Sequence, residues 1–229
     1  MKRLIIRSAQ YFDGRYLIPK LIKVEEDAWK SNSEELTASS LKIIKRIEIF
    51  PQGVSIALIE EDLSIESVGS QYAFRFDWDG DLSKLTSWDE LTSNGYIENV
   101  HFSSGNTGFL VGVGVVHKFR GEKFEHNLSL EKQYKASELL IAFTLETLFN
   151  EGVNQVVGNA RIPFYHKMPH MELNEYCNFR TEDGRLFDPV LRFHERMGAK
   201  VIKPVTFSMD DPESLNAGAW VLYTRKFKD

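Results

Sequence analysis

Six imidazoles could move a proton near neutral pH, and His194 is one of them. It lies in Arg192-Phe-His-Glu-Arg-Met-Gly-Ala199, a helix-like stretch stopped by Gly198. An unperturbed histidine titrates between pH 5 and 8, so it serves as acid or base without further tuning. The competing reading is a helix histidine bonded to backbone. A second polar cluster, Arg161, Tyr165, His166 and Lys167, follows a strand and is bracketed by Pro163 and Pro169. Loops at strand ends of α/β sheets commonly line ligands. Tyr165 and His166 are therefore candidates to bind an acceptor or relay a proton, with a solvated loop as the alternative. His166 and His170 have a helical ligand spacing, but Pro169 breaks the helix that would align them and no third ligand is evident, so no metal site is expected. Asp77, Asp79 and Asp81 surround Gly80 like a calcium loop, yet Trp88 stands where the closing glutamate belongs. Cys177 is the only cysteine, which excludes an intrachain disulfide and any zinc site needing two thiolates.

These residues must be positioned by a mixed set of elements. Leu4-Ile5-Ile6 reads as a first strand ended by the Asp13-Gly14 turn. Leu17, Leu21, Val24 and Ala28 recur at helical spacing between Tyr16 and Trp29, with Pro19 suited only to the first turn. A second helix is expected from a cap at Asn32 or Ser33, burying Leu36, Ile43, Ile44 and Ile47 and stopping near Phe50 before Pro51. Strands follow at Val54–Glu60 and Leu63–Phe76, the second long enough to carry a bulge. Residues 77–107 are turn-rich but aromatic, as an ordered surface segment would be. Phe109–Val116 is a nearly continuous apolar run and predicts a buried central strand. After the charged stretch 120–135, Leu139 to Phe149 form an amphipathic helix ending near Gly152. A strand at Val153–Gly158, a short helix with Asp188 as N-cap and Pro189 at N1, and strands at Ala199–Val205 and Ala217–Tyr223 complete the order. The pattern is a mixed α/β domain with no compositional boundary, read as one domain over 1–229.

Bulk properties narrow the function further. Of 229 residues, 42% are apolar and 27% charged, with a formal net charge of −5. That balance argues against a general binder of nucleic acid. The apolar run at Met1–Ala9 is shorter than a secretory core, and no run reaches the length of a membrane span. A reducing, cytoplasmic setting is the expectation, with no membrane and no nucleic-acid partner.

The element order resembles the GNAT N-acetyltransferase superfamily, and the resemblance covers nearly the whole chain. Val115-Val-His-Lys-Phe-Arg-Gly121 resembles the family's strand end and the opening of its pyrophosphate loop. Arg192–Ala199 is similar to the late helix usually written Phe-Tyr-Glu-Lys-Leu-Gly-Phe. Arg161-Ile-Pro-Phe-Tyr-His-Lys167, Asp188-Pro-Val-Leu191 and Asp210-Asp-Pro-Glu-Ser214 resemble a subgroup linked to carbon–nitrogen hydrolases and to curacin-type polyketide synthase loading domains; Trp29, Arg46-Ile47 and Phe50-Pro-Gln-Gly53 agree with it. The resemblance implies a mixed, mostly antiparallel sheet flanked by helices, with splayed central strands. It also implies acyl transfer, in most members acetyl transfer, from acetyl-CoA or another acyl-CoA to an amine by direct attack. Backbone at Val113, Val115 and Val116 would meet the pantetheine arm, and Arg120, Gly121, Ala136 and Ser137 the pyrophosphate. His194 would stand where many members place a tyrosine that protonates the departing thiolate.

Two departures from the pattern matter. The family loop runs Arg/Gln-x-x-Gly-x-Gly/Ala, but here Glu122-Lys-Phe-Glu125 follow Arg120-Gly121. Either the loop carries an insertion, with Gln133, Ala136 and Ser137 at the helix entrance, or the cradle is degraded. Ala160 stands where curacin-type loading domains are expected to carry a threonine beside the histidine, which argues against their decarboxylating chemistry. A carrier-protein partner, docking on Lys118, Arg120, Lys123, Lys132 and Lys135, and a non-catalytic thioester-binding module are the alternatives. A homodimer is a family-level expectation.

Overall fold

The computed structural model describes residues 4–29, 36–61, 64–126 and 129–225. Strands β1 (Leu4–Ser8), β2 (Val54–Glu61), β3 (Ser64–Phe76), β4 (Thr107–Val115), β7 (Gln155–Arg161), β8 (Lys200–Val205) and β9 (Gly218–Thr224) form one sheet in the order β1-β2-β3-β4-β7-β9-β8. Every neighbouring pair is antiparallel except β4–β7. A parallel pair needs a long crossover, and helix α4 (Ala136–Asn150) supplies it. Two further strands, β5 (Lys123–His126) and β6 (Ser129–Lys135), make a separate hairpin just before α4.

Helices α1 (Gly14–Trp29) and α2 (Ser40–Ile49) cover one face. A Cβ built on Gly114 of β4 would meet Ala28, Trp29 and Glu25 of α1, whereas one on Gly69 of β3 would meet Leu140 of α4. The two helix layers are thus on opposite faces. Helix α6 (Pro189–Arg196) shares the α4 face, since Arg196 reaches Glu138 of α4 at 2.7 Å. Short helices α3 (Trp88–Leu91) and α5 (Leu173–Asn178) lie in the long connections.

Local chemistry explains several ends. Asp188 caps α6 through Oδ1, which accepts the amides of Val190 and Leu191, as expected for Asp-Pro. Pro19 lies deeper in α1 than its first turn; it is exposed, so the carbonyl it leaves unbonded, on exposed Arg15, faces water. Helix α2 starts later than the sequence predicts: its cap is Ser39, whose Oγ accepts the Lys42 amide at 3.3 Å. The expected caps Asn32 and Ser33 lie outside the described residues. The 77–107 segment is built from turns, with Ser93, Asn94, Ile97 and Asn99 left-handed.

Phe74 stacks on Phe109, and Phe109 meets Trp220 edge to face, at the sheet centre, with ring centroids 4.9 and 5.4 Å apart. Such pairs contribute about 0.5–1.5 kcal/mol each beyond their buried area. They lock together the paired half of β4, below the point where it parts from β7.

Candidate active site

Strands β4 and β7 pair only from Thr107–Leu110 against Gln155–Gly158. Beyond that, β4 continues beside β3 and β7 beside β9, leaving a wedge between them. The β3–β4 register shifts between Tyr72 and Ala73, making Val111 an extra residue on β4. A bulge of this kind bends its strand, and here it turns β4 away at the last paired residue.

The register also shows which backbone groups face the wedge. The Val116 amide donates to the Val68 carbonyl at 2.9 Å. Opposed residues alternate between bonded and non-bonded pairs, so Gly114–Ser70 is bonded and Val113–Gln71 and Val115–Gly69 are not. The N–H and C=O of Val113 and Val115 therefore point to the side where β7 has departed. The Val115 carbonyl receives Arg120 Nε at 3.3 Å, and the Val111 carbonyl receives Trp88 Nε1 at 2.9 Å. Val116 is turned back to β3 and does not line the wedge; its side chain packs in the cluster with Val68, Phe119 and Leu140.

A cavity of about 510 Å³ fills the wedge and is lined by residues from both faces of the sheet. On the α4–α6 face it is walled by Arg120, Gly121, Ala136, Ser137, Phe193 and His194. On the α1–α2 face Glu25, Trp29, Arg46, Tyr72, Trp88 and Asp89 line it.

The charged stretch 120–135 resolves into an insertion. Lys123 pairs with Lys135 and Phe124 with Tyr134, so the β5–β6 hairpin closes on itself. Its base brings Arg120-Gly121 beside the N-terminus of α4, and all of Arg120, Gly121, Lys135, Ala136 and Ser137 line the cavity. Gly121 has φ of +84°, a turn that L side chains rarely adopt. Glu122 and Glu125 are not lining residues; Glu122 is exposed and Glu125 is opposite Gln133 in the hairpin. Neither carboxylate therefore meets an anion bound at the cavity wall. The first turn of α4 beside Lys135 fits a pyrophosphate, although Glu138 accepts the Lys135 amide at 2.9 Å and Arg120 is held by the Val115 and Ala28 carbonyls; the Val113 backbone and the Val115 amide fit a pantetheine arm.

His194 lines the cavity from α6 and is 8% exposed. Its Nδ1 is 2.6 Å from the Tyr223 hydroxyl on β9. Burial holds the imidazole down at about 4 and raises the Tyr223 phenol well above its ordinary value. Tyr223 is thus protonated and His194 neutral at physiological pH. Donation from Tyr223 into Nδ1 satisfies the buried hydroxyl and leaves the ring proton on Nε2. The ring is therefore a neutral hydrogen-bond donor. Ala160, also in the wall, brings no hydroxyl to it.

Tyr165 and His166 do not line the cavity. The Tyr165 hydroxyl donates to the Met171 carbonyl at 3.0 Å, and His166 Nδ1 lies 2.8 and 2.9 Å from the carbonyls of Pro163 and Glu213. Lys167 rests over the Phe164 ring at 3.7 Å. Arg161 does reach the wall, but its guanidinium is held by Asp211 through two 2.7 Å bonds and by Glu213 at 2.8 Å. The cluster pins the β8–β9 connection to the end of β7. Its polarity serves the loop, and no catalytic role is assigned to Tyr165 or His166.

The residues that sequence reading did not single out for chemistry are Glu25, Gln71, Trp88 and Asn159. Glu25 is 4% exposed; its Oε2 accepts the Ala38 amide at 3.2 Å and its Oε1 the Ser70 hydroxyl at 3.4 Å. Desolvation raises its affinity for a proton, against the opposing pull of Arg46. The available signal was an acid inside the apolar stripe Leu21, Val24, Ala28. Among the described residues no group of three metal-ligating side chains comes together, and no helix is long and apolar enough to cross a membrane.

A seven-stranded, mostly antiparallel sheet split at its one parallel pair, with a helix N-terminus at the split, defines a GNAT fold. Comparison with known proteins agrees. The chain is 30% identical over 212 residues to the uncharacterized N-acetyltransferase YkwB of Bacillus subtilis strain 168, covering 92% of this chain and 85% of that protein. It superimposes on the loading GNATL domain of CurA from Lyngbya majuscula with TM-score 0.75 at 25% identity, over 96% of this chain and 97% of that one. The GphF GNAT-like decarboxylase bound to isobutyryl-CoA gives 0.70 at 22% identity, over 96% and 98% of the two chains. No established family profile matches the chain. The protein belongs to the GNAT N-acetyltransferase family and is an acyltransferase.

Proposed function

We propose that this acyltransferase moves an acyl group, in the simplest case acetyl, from a CoA thioester to a small amine by direct attack. The observation that carries the reading is the cavity in the split sheet, lined by the N-terminus of α4 on one side and by a buried carboxylate on the other. The α4 N-terminus, Arg120 and Lys135 hold the pyrophosphate. Val113 and Val115 bond the pantetheine amides, leaving the Val113 N–H aimed at the thioester oxygen, where it stabilises the charge that develops there. An amine entering from the α1–α2 side meets the carbonyl carbon inside the wedge. Glu25 takes the ammonium proton, the C–N bond forms, the C–S bond breaks, and the second nitrogen proton ends on sulfur. Neutral His194 offers a hydrogen bond from Nε2 to that sulfur as it leaves and keeps its own proton, with Tyr223 fixing the tautomer. No enzyme nucleophile is required: Cys177 is fully buried and its thiol is pushed up to about 12. Ala160 has no hydroxyl, where the resemblance implies a threonine in curacin-type loading domains, and this favours transfer over decarboxylation.

The test is calorimetric titration with acetyl-CoA, followed by thiol release from acetyl-CoA across a panel of amines. Micromolar binding with amine-dependent release supports the reading. No binding of acetyl-CoA, with transfer from an acyl-carrier protein instead, would move the donor to a carrier-borne arm.

A further inference from the structure

Two opposite charges lie out of water on the α1–α2 wall of the cavity. Glu25 and Arg46 are each 4% exposed and attract one another across the cavity wall, but among the described residues neither makes a direct salt bridge, so burial outweighs the attraction at Glu25. Arg46 donates only Nε, to the Gly95 carbonyl at 2.8 Å, and lays its guanidinium on the Tyr72 ring at 4.5 Å. Removing an ion from water costs several kcal/mol unless a partner compensates it. Neighbouring polar atoms are also unsatisfied: buried Gln71 Oε1 and Asn159 Nδ2 have no hydrogen-bond partner, and both residues line the same cavity. Glu25 is anchored over Ser70 and Arg46 over Tyr72, two residues further along β3. That separation is roughly 6.8 Å along a strand, a gap that an amino acid bridges with one hydrogen bond at each end.

We propose that this end of the cavity is an acceptor subsite for a small zwitterion, a free amino acid, whose carboxylate sits on Arg46 and whose ammonium sits on Glu25. The proposal rests on the acyl-transfer reading above and adds the acceptor class. A lysine side chain of a protein would satisfy Glu25 but leave Arg46 bare. A simple anion would do the reverse. Only a ligand with both charges satisfies both groups at this depth. Glu25 then accepts one proton from the ammonium, the freed nitrogen lone pair attacks the thioester carbon, and the sulfur departs with the second nitrogen proton. The product keeps its carboxylate on Arg46.

The experiment compares proteinogenic amino acids, β-alanine and γ-aminobutyrate with their carboxamides, reading thiol release from acetyl-CoA. At least one amino acid is expected to be acetylated, with its carboxamide poorer in kcat/KM by about 100-fold or more. Arg46→Gln should erase that preference while acetyl-CoA still binds. If Arg46→Gln fails to fold, Glu25→Gln should weaken amino-acid binding by calorimetry about 10-fold or more and lower transfer, while acetyl-CoA still binds. Equal rates for acids and carboxamides, or no amino acid acetylated or bound, overturns the proposal. Loss of both substrates equally in folded Arg46→Gln, marking a purely structural arginine, does so too. Failure of the underlying acyl-transfer reading shows separately, as no acetyl-CoA binding by the wild-type protein.

Discussion

Lowering the pH should unfold this protein partly through one residue, His194. Burial lowers its imidazole from the ordinary 6.5 to about 4. The unfolded chain therefore takes up a proton near pH 6.5, whereas the native state resists until about pH 4. Stability from this source is complete above pH 6.5 and is lost as the pH falls toward 4. At about 1.36 kcal/mol per pH unit of displacement, the whole effect is roughly 3 kcal/mol. Between pH 7.5 and pH 5 the linkage relation gives a loss of about 2 kcal/mol. Urea unfolding of wild type and His194→Asn at both pH values isolates the contribution, because the carboxylates are common to both proteins. The wild-type midpoint should fall by about 1 M more than that of the variant, for a urea slope of about 2 kcal/mol per M. Parallel falls would refute the reasoning and mean that the native imidazole is as protonatable as the unfolded one.

Further outcomes follow from the same structure. His194→Asn, which has no Nε2 donor, should lower kcat for thiol release by about 100-fold or more while acetyl-CoA binding by calorimetry changes little. Arg161→Met leaves Asp211, 1% exposed, without its cation, and should cost about 3 kcal/mol in denaturant unfolding. Cys177 should resist a thiol reagent in the native state and react on unfolding, and Cys177→Ser should leave the transfer rate unchanged. Gly53→Ala would put Cβ 2.2 Å from the Ala73 carbonyl oxygen, so a melting shift of several degrees downward is expected.

The elements legible in the sequence were those with strong periodicity or capping chemistry. Phe109–Val116 had to be a central strand because it is apolar on both faces, and Asp188-Pro189 had to open a helix. The hairpin was not legible because its strands are charged and short, with Phe124 and Tyr134 alone marking an inner face. Its register is set by cross-strand pairing, which composition does not encode. The wedge was legible only through family resemblance. Its physical cause is a one-residue bulge at Val111, and bulges leave little trace in hydropathy. His194 was found through its neighbours in sequence, but its protonation state depends on Tyr223, 29 positions away. Glu25 and Arg46 were hidden for a different reason: each occupies a buried helix position, where pattern reading assigns packing. The Tyr165–His166 cluster shows the reverse, polar residues in a promising loop whose hydrogen bonds go to backbone carbonyls.

The β5–β6 hairpin makes the length of the phosphate loop independent of its function. An open loop of that size would have to be gathered each time a ligand arrived, with an entropic cost that grows with the logarithm of its length. Cross-strand bonds between Lys123 and Lys135 gather it in advance. Residues added or lost at the far end of the hairpin leave the distance between Gly121 and Ala136 unchanged. The tip is thus free to vary, and evolution or an engineer could graft a recognition segment there without retuning the cradle.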